Sequence, residues 1–158
     1  MKKIKTNAMR ILDSKKISYK EYMYESDPDH IDGVSVAAKL NQNPKQVFKT
    51  LVTVSPKKEY FVFVVPVEKE LDLKKCAKSV NAKSVEMIHV KDINKITGYI
   101  RGGCSPIGMK KQFTTVFEET CLNFDTIIFS GGKIGFQIEV NPNDVIKMLN
   151  AKVADIAK

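Results

Sequence analysis

The chain has 158 residues, 43% of them hydrophobic, with 26 Lys and Arg against 18 Asp and Glu for a net charge of +8. That length predicts a single domain over residues 1–158 with a core of its own, and the composition excludes a disordered tail. The longest apolar run, Tyr60 to Val67, is far short of the roughly 20 residues that span a bilayer, so no membrane partner is expected.

In chain order, Thr6 is placed as the N-cap of a first helix with Ala8, Ile11 and Leu12 on one face. The aromatic-rich stretch Ser18 to Tyr24 predicts a strand, and the acidic cluster Glu25 to Asp32 a loop. Val34 to Leu40 predicts a short helix, and Asn43 followed by Pro44 predicts another helix start. Two β-rich runs, Lys49 to Val54 and Glu59 to Val67, flank Ser55-Pro56-Lys57-Lys58 and predict a hairpin. Its second strand is nearly continuously apolar, which suits a central strand buried on both faces. Asp72 caps a helix running to Val80, Lys83 to Ile88 is a short strand, and Val90 to Gly98 a helix ended by its glycine. Phe113 to Glu119 and Thr126 to Ser130 are strands; the turn Gly131 to Gly135 leads into the strand Phe136 to Val140; Asn141-Pro142 opens a last helix. Strands and helices alternate without strict βαβ units, which predicts an α+β fold, a mixed sheet with helices packed around it.

The chemistry concentrates in Arg101 to Lys111, "RGGCSPIGMKK". Gly103 and Gly108 have Walker-loop spacing, but Met109 stands where the lysine belongs and no hydroxyl follows to hold Mg²⁺, so a P-loop is excluded. What is left is the G-x-x-x-P loop Gly102-Gly103-Cys104-Ser105-Pro106: either a nest of N–H groups for a phosphate or developing oxyanion, or a turn that serves only the chain path. Ser130 to Gly135 is a second glycine turn, where Lys133 binds phosphate or is simply solvated. Lys49, inside a strand, either polarises a carbonyl or marks the exposed face of an edge strand.

His30 sits in the acidic loop and His89 at a strand end, neither beside a Ser or Cys nucleophile motif. With these histidines and Cys76, Cys104 and Cys121 in no CxxC pair, neither a metal site nor a disulfide framework is expected, only reduced thiols. Cys104, near Arg101 and Lys110, is the cysteine in the most reactive-looking context, yet it has no activating base nearby. The lysine excess suits a polyanionic partner or a solvated surface. With Arg10 and Arg101 the only arginines, phosphate contacts to a shape-read RNA fit better than base-edge readout. The basic N-terminus carries no apolar leader, so a cytoplasmic location is expected.

Taken in order, "FKTL", "VPV", "LDLKK.A", "TGY..GG.SP.G.KK" and "SGGK.G..IE" resemble the YbaK/EbsC family of aminoacyl-tRNA deacylases, relatives of the editing domain of bacterial prolyl-tRNA synthetases. The resemblance runs over nearly the whole chain and is strongest to the Cys-tRNA(Pro) deacylases of that family. It implies a strongly curved, barrel-like mixed sheet, hydrolysis of a mischarged aminoacyl ester at the tRNA 3′ end, no cofactor, and prolyl-tRNA synthetase as a possible source of substrate. It makes Lys49, Gly102 and Gly103 the catalytic positions. Tyr24, Thr50, Cys104, Ser105, Pro106, Ser130 and Gly131 become substrate-binding positions. It also implies that the substrate's own thiol attacks the ester, which fits a chain without a triad, since proximity replaces much of the barrier. One departure stands out: Gln137 occupies a position where the family pattern calls for Asp. Glu139, two residues on along the same strand face, or the Gln137 carbonyl, is expected to meet the substrate's α-ammonium instead. Two alternatives remain open, a non-catalytic module holding an RNA 3′ end or the synthetase, and a deacylase turned toward Ala or Ser.

Overall fold

A computed structural model describes residues 5–27, 29 and 32–158; His30 lies outside them. The Thr6 hydroxyl accepts from the Met9 N–H and starts α1 (Asn7–Ser14), which buries Ala8, Met9 and Leu12. Strand β1 (Tyr19–Met23) follows, and Asp32 caps α2 (Gly33–Lys39) through the Ser35 N–H. The predicted hairpin is present as β2 (Phe48–Val54) and β3 (Tyr60–Pro66), antiparallel, with Phe48 opposite Pro66 and Val54 opposite Tyr60. Asp72 caps α3 (Leu73–Ser79), accepting from the Lys74 and Lys75 N–H groups. After the two-residue β4 (Glu86–Met87) and a 3₁₀ turn (Val90–Asp92) comes α4 (Ile93–Thr97), ended by Gly98 at φ 86°. The chain closes with β5 (Thr114–Glu118), β6 (Ile127–Ser130), β7 (Phe136–Val140), α5 (Pro142–Leu149) and β8 (Lys152–Ala154).

These strands form two sheets, β4-β2-β3-β5-β8 and β1-β7-β6. The first is mixed, because β5 and β8 run parallel to β3; the second is antiparallel. β3 is apolar throughout because both its faces are covered. Val62 and Val64 enter a cluster with Phe48, Val52, Phe117 and Phe129. Phe61, Phe63 and Val65 enter another with Leu71, Cys76, Val116 and Ile156. The strict alternation of strand side chains sorts neighbours into these two cores.

The expected α+β architecture is therefore present, with its strands in two sheets rather than one closed barrel. A parallel bridge between Val47 and Ile128 joins them. The helix expected after Asn43 is a single turn: the Asn43 side chain accepts from the Lys45 N–H and its carbonyl from the Gln46 N–H. The chain must be extended by Val47, whose carbonyl takes the Val67 N–H at 2.8 Å, so no helix has room to grow. β8 was not expected; its short "KVA" becomes a strand by lying beside β5. Among the described residues no helix is long and apolar enough to cross a membrane.

Candidate active site

The site opens where the two sheets part. In β2 the odd-numbered residues turn their backbone groups toward β3. The Val47 carbonyl accepts from Val67 there, and the Ser55 N–H donates to Glu59. The alternation of an antiparallel ladder then directs the N–H and C=O of even-numbered residues the other way. At one end of this outer edge the Gln46 carbonyl takes the Ile128 N–H of β6. At the other end the Val52 carbonyl takes the Ile88 N–H, and β4 pairs with Thr53 and Val54. Thr50 lies between, on a stretch of edge that pairs with no strand among the described residues. The gap is a cavity of about 370 Å³. β2 forms one wall and Phe129, Ser130 and Gln137 another; Gly33 and Val34 of α2, Met87 and Ile88 beside β4, and Gly102 and Cys104 of the glycine loop complete it.

The glycine loop is a built turn. The Gly103 N–H donates to the Ile100 carbonyl at 2.9 Å, and Gly102 at φ 87° supplies the positive φ that the third position of such a turn requires. Gly103 packs directly on the other glycine turn: a Cβ there would stand 3.1 Å from the Ile134 nitrogen. Gly103 therefore has its N–H occupied, and its value is close approach. Gly102, exposed at the cavity, is the glycine of the pair placed to meet a ligand. Ser105 is fully buried and its hydroxyl accepts from the Ile107 N–H at 3.3 Å; Pro106 is buried beside it. Neither is among the cavity-lining residues, and both shape the loop from behind. Cys104 lines the cavity, but burial pushes its thiol up to about 11, against a weaker opposing hydrogen bond with Thr97.

Lys49, Thr50 and Tyr24 all line the cavity. The Lys49 ammonium stands 3.6 Å from the Glu70 carboxylate, with the two side chains 27% and 78% exposed, so water competes for this contact. The Thr50 hydroxyl oxygen is buried without a hydrogen-bond partner among the described residues. The Ser130 hydroxyl accepts from the Gly132 N–H at 3.1 Å, and Gly131 closes its turn by donating to the Phe136 carbonyl.

Gln137 is 5% exposed and sits on the cavity wall. Its Oε1 accepts from the Gln42 amide at 2.8 Å, while the Gln42 Oε1 is buried with no partner among the described residues. Glu139 shares the strand face of Gln137, as the alternation predicts, but its oxygens are taken by the Tyr22 and Thr126 hydroxyls, each at 2.5 Å. Burial works against the Glu139 charge, and the bonds from Thr126 and Tyr22 with the nearby charge of Lys20 outweigh it, holding the carboxyl below the usual range. Glu139 is not among the cavity-lining residues, so of the two acceptors expected for an α-ammonium Gln137 is the one on the cavity wall.

Sequence reasoning passed over Gln42, and over Val34, Met87 and Val90, three exposed apolar side chains on different elements of the same cavity wall. No local pattern marks them; they meet only through the tertiary fold. Among the described residues no histidine lines the cavity, and His89 is exposed at the start of the 3₁₀ turn.

Residues 30–148 match the family model of the aminoacyl-tRNA editing domain. Over 152 residues, 96% of this chain and 93% of the relative, the sequence is 49% identical to EbsC of Enterococcus faecalis, named as a candidate Cys-tRNA(Pro)/Cys-tRNA(Cys) deacylase. Among solved structures, a hypothetical protein superposes with a TM-score of 0.85 at 18% identity, covering 94% of this chain and 97% of its own. A second, described as a candidate trans-editing enzyme for prolyl tRNA synthetase, superposes at 0.80 with 20% identity and 99% coverage of both chains. At such identities the two structures speak to the fold alone.

Proposed function

This chain belongs to the aminoacyl-tRNA editing domain family, and from that premise we propose that it is a trans-editing deacylase which removes cysteine from mischarged tRNA(Pro). The observation that carries the choice of chemistry is the state of Cys104. It is the thiol on the cavity wall, and at about 11 it stays protonated at neutral pH. Thiolate, not thiol, is the nucleophile, which disfavours Cys104 as the attacking group and fits a substrate that brings its own sulfur. A cysteinyl ester brings a thiol within one bond rotation of its own carbonyl, and holding that geometry is worth many orders of magnitude in effective concentration. The sulfur loses its proton and bonds to the carbonyl carbon; the bond from that carbon to the ribose oxygen breaks; the oxygen leaves with a proton. The released four-membered thiolactone is then opened by water to cysteine.

In this reading Lys49 orients the ester end at the cavity mouth, and Gly102 presents its turn to the carbonyl and terminal ribose. Tyr24, Ser130 and Gln137 enclose the aminoacyl group, and Cys104 is a packing wall. The charge of +8 favours the acceptor stem electrostatically, and prolyl-tRNA synthetase is the partner that would deliver tRNA(Pro) in the cytoplasm. A second enzyme is needed because synthetase pockets separate side chains of similar size poorly, by about 1–3 kcal/mol per methylene.

A deacylation panel with Cys-, Ala-, Ser- and Pro-tRNA(Pro), with and without the synthetase, tests the proposal. The expected result is turnover of Cys-tRNA(Pro) and loss of roughly 10²-fold or more in Lys49→Ala with an unchanged melting temperature. Turnover of Ala- or Ser-tRNA at the same rate would require a water nucleophile and overturn the thiol mechanism. RNA binding without any turnover would make the chain a holding module.

A further inference from the structure

We propose that Thr50 pairs with the aminoacyl group of the substrate as a strand residue pairs with its neighbour, main chain to main chain. The proposal rests on the deacylase reading and deepens it, by saying what in the cavity recognises an α-aminoacyl ester rather than any ester.

Three hydrogen bonds fix the direction of the Thr50 backbone. Val67 to Val47 and Ser55 to Glu59 place the odd residues of β2 against β3, and Ile88 to Val52 shows an even residue reaching outward. Thr50 must therefore point its N–H and C=O away from β3, into the gap between β6 and β4. Both ends of the gap are closed, by Ile128 on Gln46 and by Ile88 on Val52. Between these closures the outward-facing residues are Phe48 and Thr50, so the open edge is at most two pairing positions long, and it forms a wall of the cavity. A longer peptide strand has no room to add here, and an aminoacyl ester fits.

The chemistry of the occupant matches. An aminoacyl ester carries an N–H donor and a C=O acceptor on either side of one α-carbon, the same set that a residue shows to an antiparallel neighbour. Its ammonium donates to the Thr50 carbonyl while its ester carbonyl accepts from the Thr50 N–H, closing the two-bond ring of a hydrogen-bonded strand pair. When sulfur attacks, negative charge grows on that carbonyl oxygen, so the Thr50 N–H strengthens its bond in the transition state. The Gly103 N–H, already given to Ile100, cannot serve this purpose. Tyr24, Ser130 and Gln137 then close around the side of the aminoacyl group turned away from Thr50, and Gly102 faces the terminal ribose.

The test has an enzyme arm and a substrate arm. Incorporating the α-hydroxy analogue of threonine at position 50 replaces that N–H by oxygen and leaves the side chain intact. The N–H itself faces the cavity, but the Lys49 carbonyl, which faces β3, becomes an ester and accepts more weakly, so the melting temperature should fall slightly with the protein still folded, while kcat on Cys-tRNA(Pro) falls by about 10²-fold, the usual cost of one oxyanion donor. A folded protein within about 3-fold of wild type would overturn the proposal. The substrate arm needs only the native protein. Cys-tRNA(Pro), its α-hydroxy analogue 3-mercaptolactyl-tRNA(Pro) and 3-mercaptopropionyl-tRNA(Pro) should fall in that order of kcat/KM, because the last has nothing to donate to the Thr50 carbonyl. Equal rates for all three would overturn it whatever the fate of the first variant. Failure of the deacylase reading looks different: Cys-tRNA(Pro) itself would not be turned over.

Discussion

Gln137 occupies the position where the resemblance calls for an aspartate, and it is held in turn by Gln42. An amide, unlike a carboxylate, can present either an acceptor or a donor, so its orientation matters. With the Gln42 amide donating to Gln137 Oε1, the free end of Gln137 is its NH₂, the wrong group for an ammonium. Exchanging O and N on both amides leaves every heavy atom in place and keeps one hydrogen bond, now from Gln137 to Gln42. The Gln42 Oε1 has no other described partner to lose. That exchange turns the Gln137 carbonyl to the substrate. If Gln137 meets the ammonium as proposed, Gln42 acts as its positioning residue. Gln42→Met should raise KM for Cys-tRNA(Pro) about 3- to 10-fold with little change in kcat, one charge-assisted hydrogen bond being at stake. Gln42→Glu, a fixed acceptor, should restore it. Neither change should affect 3-mercaptopropionyl-tRNA(Pro), which has no ammonium to read; steady-state kinetics on the two substrates check this.

The elements that wall the cavity meet at close quarters, most tightly where α2 begins. A Cβ on Gly33 would lie 2.2 Å from Val67 Cγ1 and 2.8 Å from its Cβ. Rotating the valine relieves the first contact but not the second, so Gly33→Ala must push α2 off the end of β3. Overpacking of this kind costs about 1–3 kcal/mol, and Gly33 and Val34 are cavity wall. The variant should melt several degrees lower and show a raised KM, by calorimetry and kinetics on one preparation. How much of this was legible follows from how local each signal is. The caps Thr6 and Asp72, the Gly98 stop and the Ser55–Lys58 hairpin turn act within a few residues and stand where the sequence placed them. The Asn43-Pro44 helix failed because the Val47 pairing, set by residues some twenty and eighty positions away, takes the chain first. β8 and the open edge at Thr50 have the same origin: both depend on where another strand stops. At the site, Lys49, Gly102 and Gln137 could be named from motifs, and the structure gathers them on one cavity. That Gly103 acts by closeness and Glu139 by bracing Tyr22 and Thr126 needed the tertiary contacts.

At the scale of the whole molecule, burial that keeps the enzyme's thiols out of the chemistry also sets an upper limit of pH. Burial pushes Cys76, Cys104 and Cys121 to about 12, 11 and 12, from an ordinary value of 9.0. In the unfolded chain these thiols ionise as pH passes 9; in the folded chain they stay protonated until about 11 or 12. The unfolded state therefore binds fewer protons over that window, so stability present below pH 9 is lost as pH rises through it. Each thiol contributes a slope of up to about 1.4 kcal/mol per pH unit. Deprotonation of surface lysines over the same range relieves like-charge repulsion and works in the opposite direction, but that contribution is screened by salt whereas the buried thiols are not. Melting curves from about pH 8 to 10.5, at low and high salt, should show a fall in stability that persists when salt is raised. Cys104→Ala removes one of the three thiols, so it should flatten that fall by roughly a third. The same variant should keep full deacylation of Cys-tRNA(Pro), and its rate should rise with pH along the same curve as wild type, because the titrating sulfur in the reaction is the substrate's. A Cys104→Ala enzyme that lost turnover, or whose pH–rate curve moved, would return that sulfur to the enzyme.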